Sequence, residues 1–275
     1  MLCTTCRTRP AASADGLCTR CAALYPSPED RPVSVTPGPT QETWHRLRSP
    51  VGLGRAVVVL LGIVIATDLI AVGAGLIVRN AYTSTMFADR VYVTNDAQAY
   101  ANVLYGAAGA LQSLVMLATA VLFILWFQRV RLNAEVFDAD EQRMKPGWAI
   151  GAWFVPIGNL WLPRRIAAGI WAASGFTHTD GSRRPVSQAP LNLWWTAWVI
   201  NLVLVRYATR RYEQADAPQE IVDAAGLAVA SDVLDIVAAV LAILFVRRLT
   251  AMQGERAALG PYPHAEPAAT GAVPS

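Results

Sequence analysis

Three acidic residues, Asp68, Asp232 and Asp235, interrupt apolar stretches that are long enough to cross a bilayer. A charged side chain at mid-membrane costs roughly 2.5–3.5 kcal/mol on insertion scales, so each position needs a partner, a proton or a cation. Asp232 and Asp235 are three residues apart and therefore share one face of a helix. We predict that these carboxyls point into a helical bundle and form a polar site, with Asn201 as a further member.

Two interpretations of this polar site stay open. Protonated carboxyls can act as hydrogen-bonding contacts between helices, a purely structural role. Ionised carboxylates can instead hold a cation or a proton, which would indicate binding or conduction. The apolar stretches contain no Lys, Arg or His that could neutralise the carboxylates. The neutral residues that are candidates to pair with them are Asn201, Gln112, Ser113, Ser231 and Thr67.

The second group with chemical potential is a set of four cysteines, all within the first twenty-one residues. They form two CxxC pairs, Cys3 with Cys6 and Cys18 with Cys21. Two such pairs let four thiolates surround Zn²⁺ in a tetrahedron. A four-sulfur set leaves no open position, so we predict a structural zinc ribbon over residues 1–24. A thiol–disulfide pair or a module without metal are the alternatives.

The elements that position these groups follow from composition. The chain is 54% hydrophobic and 16% charged, with a mean hydropathy of +0.33, whereas soluble domains carry about 25% charged residues. We predict an all-α integral membrane protein with four spans, at about 56–78, 103–127, 191–207 and 224–246. A Pro-rich linker over 25–45 precedes this transmembrane domain of residues 46–250, and residues 251–275 form a disordered tail.

Residues 148–174 do not fit a simple span. The apolar stretch 148–162 is shorter than the ~17–25 residues that a spanning helix needs, and Pro156 and Pro163 interrupt the helix. We interpret the segment as a broken element that is either re-entrant or interfacial. Asn159 is suited to bonding the backbone groups that the prolines free.

The distribution of arginine and lysine predicts the orientation. With four crossings and both termini in the cytoplasm, fourteen basic residues flank the spans inside and five outside. Five crossings would place ten inside and nine outside, so the positive-inside rule favours four. We therefore expect a multi-pass protein of the cell (inner) membrane, in contact with lipid. Reduced thiols at the N-terminus agree with a cytoplasmic location.

The densest motif of the chain lies around the broken element. It comprises Arg129, Asn133, Pro146, Gly147, Trp148, Trp153, Phe154, Pro156, Asn159, Pro163 and Trp171. With its Pro-Gly-Trp, its Trp-Phe-x-Pro core, and the Asn, Pro and Trp that follow, the chain resembles the bacterial membrane family called domain of unknown function 4328, over roughly residues 50–250. The resemblance implies a multi-span fold, in some members with an N-terminal zinc ribbon, and it implies no activity or catalytic residue.

Common catalytic motifs are missing from the sequence, including GxSxG, HExxH and the phosphate loop GxxxxGK[ST]. We expect a non-enzyme, although Asp68 facing Asp232 or Asp235 would be the pair that an intramembrane aspartyl hydrolase needs. The expected role is sensing or scaffolding at the membrane, with the zinc ribbon docking a cytosolic protein. Nucleic acid is not the expected partner, since three arginines in the ribbon neutralise few phosphates. The alternative is a small ion- or proton-coupled transport protein.

Overall fold

The computed structural model describes residues 2, 4, 6–10, 12, 18, 19, 44–87, 95–175 and 186–260. The chain divides into two compact units, Met1–Gly38 and Pro39–Ser275. The described part of the second unit contains α1 (Val51–Phe87), α2 (Asn95–Phe137), α3 (Trp148–Gly151), a 3₁₀ turn (Gly158–Leu160), α4 (Leu162–Ala173), α5 (Ala189–Glu213) and α6 (Pro218–Ala258). In the first unit, an antiparallel bridge joins Leu2 and Pro10. The described residues contain no strand, and the all-α prediction is confirmed for them.

Three helices are long and apolar enough to cross a membrane, judged by length and composition, over Val51–Ser84, Asp96–Phe137 and Pro218–Ala258. They contain the predicted spans 56–78, 103–127 and 224–246. The fourth predicted span, 191–207, lies within α5, which is not among the three. The mean hydropathy of α5 is lowered by two asparagines, Asn192 and Asn201, and by three tryptophans of modest hydropathy.

The long helices extend beyond their apolar stretches. α1 continues to Phe87 and α2 begins at Asn95, within a region that the sequence pattern indicated as a polar connection. α6 continues to Ala258, past the expected boundary at residue 250, because Met252, Gln253 and Arg256 are buried there. A helix needs no apolar surroundings, since its hydrogen bonds lie within the segment. Residues 25–43 of the predicted linker 25–45 and residues 261–275 of the predicted tail 251–275 lie outside the described residues.

The four long helices pack in the order α2, α1, α6, α5. Glycines bring α1 close to α6. A Cβ at Gly54 would lie 2.8 Å from Thr250 Oγ1, and one at Gly75 would lie 2.8 Å from a Val229 methyl group. Small residues at such contacts let helix backbones approach, a packing mode common in membranes.

The two ends of the bundle are filled differently. One end, the aromatic end, contains a large buried cluster that includes Phe123, Trp126, Phe127, Trp171, Trp194, Trp195 and Phe245. The other end, the alanine end, has two small clusters, one of Ala71, Ala74 and Ala108, the other of Val78, Ala101 and Ala225. α5 extends between these ends: Trp194 and Trp195 belong to the aromatic end, while Tyr212 lies 5.3 Å from Tyr105 between ring centroids at the opposite end.

Residues 144–174, which are the broken element 148–174 and the four residues before it, form a segment that packs at the aromatic end. Its start is fixed where Arg131 Nη2 donates to the carbonyl of Met144 at 2.6 Å. Its last residue, Ser174, accepts a hydrogen bond from Gln253 at 3.2 Å, and Gln253 also donates to the carbonyl of Val130 at 2.8 Å. Both ends of the broken element are therefore attached to the same turn of α2, at residues 130–131.

Candidate polar site in the helical bundle

Five polar side chains from four helices meet inside the bundle. Gln112 of α2 donates through Nε2 to Asp68 Oδ1 of α1 at 2.6 Å and to Asp232 Oδ1 of α6 at 3.1 Å. Asn201 of α5 donates through Nδ2 to Asp235 Oδ1 at 2.8 Å. We call these five residues the polar centre. The structure thus brings together all four residues that the sequence indicated, and Gln112 links two of them.

The helices place these residues at one level because α1 and α6 lie side by side and Asp232 and Asp235 are one turn apart on α6. Asp68 is completely buried, and Asn201 is 6% exposed. Asp232 and Asp235 are partly buried and interact electrostatically with Asp68. The carboxylates therefore form one interacting group and not three separate sites.

The polar centre has unused hydrogen-bonding capacity. Asp68 Oδ2 and Asn201 Oδ1 are both buried, and neither has a hydrogen-bond partner among the described residues. A buried polar atom without a partner costs free energy comparable to a lost hydrogen bond. Three neighbouring carboxyls with two amide donors can bind a proton or a small cation, or can serve as polar contacts between helices.

The three hydroxyl candidates do not pair with the carboxylates. Thr67 donates to Val64 O at 2.8 Å, Ser113 to Gly109 O at 2.8 Å and Ser231 to Ala228 O at 2.7 Å. Each hydroxyl thus bonds a carbonyl of its own helix, three or four residues earlier, where an acceptor is always within reach. Only the amides, with longer side chains and two donors, reach across to a neighbouring helix.

A second polar network surrounds Asn133 of the family-like motif, at the aromatic end. Asn133 accepts from the Arg48 N–H at 3.1 Å and donates to the Arg48 carbonyl at 2.9 Å and to Gln253 Oε1 at 3.0 Å. Arg129 donates to the carbonyl of Ser49 at 3.4 Å. The network fixes the segment before α1 onto α2 and α6. Sequence reasoning missed Arg48, Ser174 and Gln253, although an amide at 253 beside the apolar residues of α6 was a usable signal.

The tryptophans of the motif divide between core and surface. Trp153 lies at the centre of an aromatic cluster, with ring centroids 5.7 Å from Phe123, 5.8 Å from Phe127 and 5.9 Å from Trp198. Trp171 stacks on Phe245 at 5.9 Å. Trp148 and Phe154 are 41% and 72% exposed. The motif therefore both packs the aromatic end and presents aromatic side chains at its surface.

The turn between the two prolines has a backbone arrangement that the sequence did not indicate. Ile157 has φ +60° and ψ −43°, a backbone conformation with positive φ that is rare for a β-branched residue. The indole of Trp195 donates to the carbonyl of Leu160 at 3.0 Å. Within the described residues, the side chain of Asn159 makes no hydrogen bond, so its expected role belongs to Trp195. Pro163 lies in the first turn of α4, where proline is tolerated, and does not end a helix. Pro146 and Gly147 directly precede α3, and Pro156 is exposed.

The cysteine module can be tested only in part, since Cys3 and Cys21 lie outside the described residues. Cys6 Sγ and Cys18 Sγ, one from each CxxC pair, are 3.7 Å apart. Four sulfurs bound to Zn²⁺ at about 2.3 Å would lie about 3.8 Å apart along the tetrahedron edges. The described residues contain no group of three His, Cys, Asp or Glu side chains placed to hold a metal. The two visible thiols fit the spacing of a zinc site.

Comparison with family models gives one match, to the domain of unknown function DUF4328, over residues 89–251. No curated protein and no solved structure matches the chain. The matched residues begin just before α2 and end seven residues before the end of α6. They include Asn133, the broken element, Asn201, Asp232 and Asp235. They exclude α1 and Asp68, so the match begins later than the expected boundary near residue 50. Because the match covers more than half of the sequence, the chain belongs to the DUF4328 family.

Proposed function

We propose that the chain is a four-crossing inner-membrane protein without enzymatic activity, which senses or scaffolds at the membrane and docks a cytosolic protein through an N-terminal zinc ribbon. The observation that carries the proposal is the attachment of both ends of the broken element to one turn of α2. A segment that starts and ends at the same level returns to the side from which it entered. The crossings are then α1, α2, α5 and α6.

The length of α5 supports its role as the fourth crossing. Its 25 residues give about 37 Å of helix at 1.5 Å per residue, more than the ~30 Å of a hydrocarbon core. Asn201, its most deeply placed polar residue, bonds Asp235 and therefore faces protein and not lipid. An even number of crossings leaves both termini on one side, and the excess of basic residues at the aromatic end indicates that this side is the cytoplasm. Of the basic residues in that count, Arg90, Arg183 and Arg184 lie outside the described residues.

The zinc ribbon is supported by the 3.7 Å separation of Cys6 and Cys18. A disulfide needs about 2.05 Å between sulfurs, so these two thiols are not joined by one. Cys3, Cys6, Cys18 and Cys21 would hold the ion. The zinc would have a structural role, because four thiolates fill its coordination shell. A small module folded by zinc offers a rigid surface for a protein partner.

Cysteine labelling from the two sides of the membrane tests the crossing pattern. In a background with the four native cysteines changed to serine, Ala139→Cys precedes the broken element and Ser187→Cys follows it. We expect a membrane-impermeant maleimide to label both from the cytoplasmic side only. Ala217→Cys, at the start of α6, should react from the opposite side. Reaction of residues 139 and 187 from opposite sides would refute four crossings.

Metal analysis of the purified full-length protein tests the ribbon. We expect about one zinc per chain, none after all four Cys→Ser changes, and an unchanged content in the control Thr8→Ala. Parent protein without zinc would remove the ribbon from the proposal.

Photo-crosslinking in cells tests the docking. A photo-crosslinker at Thr8 of the parent protein should capture the same protein in every repeat, and the variant with all four Cys→Ser changes should not capture it. Equal capture by both would show that the ribbon does not dock the partner.

Ion- or proton-coupled transport is a second candidate, favoured by the buried Asp68 Oδ2 that has no donor within the described residues. Proteoliposomes with an internal pH dye or a cation dye measure it directly. Transport predicts parental flux that falls in Asp68→Asn and Asp235→Asn and persists in Ser113→Ala, whose hydroxyl bonds its own helix. A parent protein without flux would reject transport, and size-exclusion profiles would show whether each variant is folded.

A further inference from the structure

A separate cavity lies at the aromatic end, between the end of α2, the loop that follows it and α4. Its volume is about 270 Å³, close to the lower limit of the ~300–1,000 Å³ that is typical of small-ligand sites. The charged and amide residues that line it are Arg131, Glu141, Gln142, Arg143, Arg165 and Gln188. Three cations and two amides against one carboxylate give the cavity an excess of positive charge.

Two of the three arginines are available for a ligand. Arg143 and Arg165 are exposed, and neither forms an ion pair with any residue in the described part of the chain. Arg131 is buried and already committed, since it pairs with Glu135 at 3.0 Å and bonds the carbonyl of Met144. Arg131 thus fixes the loop, while Arg143 and Arg165 supply the uncompensated charge.

The cavity is held in shape by contacts between the loop and α4. Gln142 Nε2 donates to the carbonyl of Gly169 at 3.1 Å. A Cβ on Gly169 would lie only 2.9 Å from the carbonyl of Glu141, so glycine is what allows this approach. A site whose walls are fixed before binding loses less entropy when a ligand enters.

We propose that this cavity binds the phosphate group of an anionic lipid at the membrane surface. Arginine binds phosphate through paired, charge-assisted hydrogen bonds, and basic pockets between helices on the cytoplasmic side bind anionic headgroups. Trp148, which directly follows the loop, is 41% exposed, and tryptophan is enriched at the level of the lipid headgroups. The proposal rests on the proposed membrane placement of this end of the bundle.

Native mass spectrometry of the full-length protein in detergent, titrated with lipids of identical acyl chains, tests the site. We expect phosphatidylglycerol to bind more tightly than phosphatidylcholine, whose choline cation the arginines repel. Arg143→Gln and Arg165→Gln should each weaken phosphatidylglycerol binding about fivefold, and the double variant more than either. Arg247→Gln is the matched control, since it removes one exposed charge from the same end of the bundle, outside the cavity, and should bind as the parent does.

Equal binding of the two lipids, or a double variant that binds as the parent does, would overturn the site. A parallel titration with inorganic phosphate and glycerol 3-phosphate distinguishes the sources. Competition by either at concentrations near those of the lipid would overturn the lipid as the occupant and assign the site to a soluble phosphate compound. The cysteine labelling tests the membrane placement, and these titrations test the lipid site. Because the two results are independent, a failure of one proposal can be distinguished from a failure of the other.

Discussion

The indole Nε1 of Trp126 donates to the hydroxyl of Thr250 at 3.1 Å, and the backbone of Gly54 lies directly against this pair. Three helices, α1, α2 and α6, thus meet at one hydrogen bond. A methyl group on residue 54 would fall 2.8 Å from Thr250 Oγ1 and 3.3 Å from Trp126 Nε1. The contact has no room for a side chain, and the short threonine cannot swing away as a long flexible residue would.

Gly54→Ala should therefore destabilise the bundle. Overpacking of a close contact costs about 1–3 kcal/mol, which exceeds the helix-propensity gain of about 1 kcal/mol from replacing glycine. Thermal unfolding in detergent, followed by circular dichroism, should show a lower midpoint than the parent. Gly52→Ala is the matched control, since its Cβ would meet nothing within 4 Å. A midpoint for Gly54→Ala at or above that of Gly52→Ala would contradict the close packing of α1 on α6.

Gln112→Leu should destabilise the protein, because Asp68 and Asp232 lose their shared donor. Leaving buried acceptors unsatisfied costs about 1–3 kcal/mol. A double-mutant cycle with Asp68→Leu gives the sharper measurement. Since removing both partners of a buried hydrogen bond costs less than removing one, the double variant should be more stable than the sum of the single effects predicts. Strict additivity would show that Gln112 and Asp68 do not interact.

Asn133→Ala should release the segment before α1. The N–H of Arg48 then loses its acceptor, and its amide hydrogen should exchange with solvent faster by at least about tenfold, for a lost contribution of 1.4 kcal/mol or more. Hydrogen exchange of the peptide that contains residue 48 measures this. Asn102→Ala is the control, because its side chain bonds the exposed Tyr82 hydroxyl at the opposite end of the bundle. Unchanged exchange at residue 48 would contradict the network.

Trp195→Phe should loosen the broken element by removing the donor to the carbonyl of Leu160. The expected cost is about 1 kcal/mol beyond that of lost packing. Trp198→Phe isolates the packing part, since Trp198 belongs to the same aromatic cluster and makes no hydrogen bond with the described residues. Hydrogen exchange over residues 157–163 should rise in Trp195→Phe and stay near the parental rate in Trp198→Phe. Equal rates in the two variants would mean that the bond to Leu160 contributes nothing.

Helix type and the three acidic members of the polar centre were predictable from the sequence for a simple reason. Long apolar runs can satisfy their backbone only as helices, and acidic residues within them must face inward. Asp68 and the Asp232–Asp235 pair follow from that reasoning alone. Helix ends were not predictable, because the backbone hydrogen bonds of α1 and α2 continue through polar residues once the helix has formed.

Contacts between particular side chains were also beyond the sequence. Gln112 was one of five candidate partners, and only the relative rotation of α1, α2 and α6 selects it over Ser113. The same holds for Gln253, which bonds Val130 and Asn133 of α2 and Ser174 at the end of α4. Asn159 was the expected hydrogen-bonding partner for the backbone between the two prolines. The structure instead shows Trp195, 35 residues along the chain, bonding the carbonyl of Leu160 there.

The unequal filling of the two ends of the bundle gives it opposite mutational sensitivities. Where Phe127, Trp171 and Phe245 interlock, truncation leaves a void that the surrounding rings cannot close. Where Ala74, Ala108 and Ala225 separate the helices, truncation has almost nothing to remove, and any enlargement forces the backbones apart. Within these clusters, a saturation-mutagenesis profile should therefore differ along the bundle axis: truncation of the large aromatic residues should be the damaging change at the aromatic end, and enlargement of the alanines should be the damaging change at the alanine end.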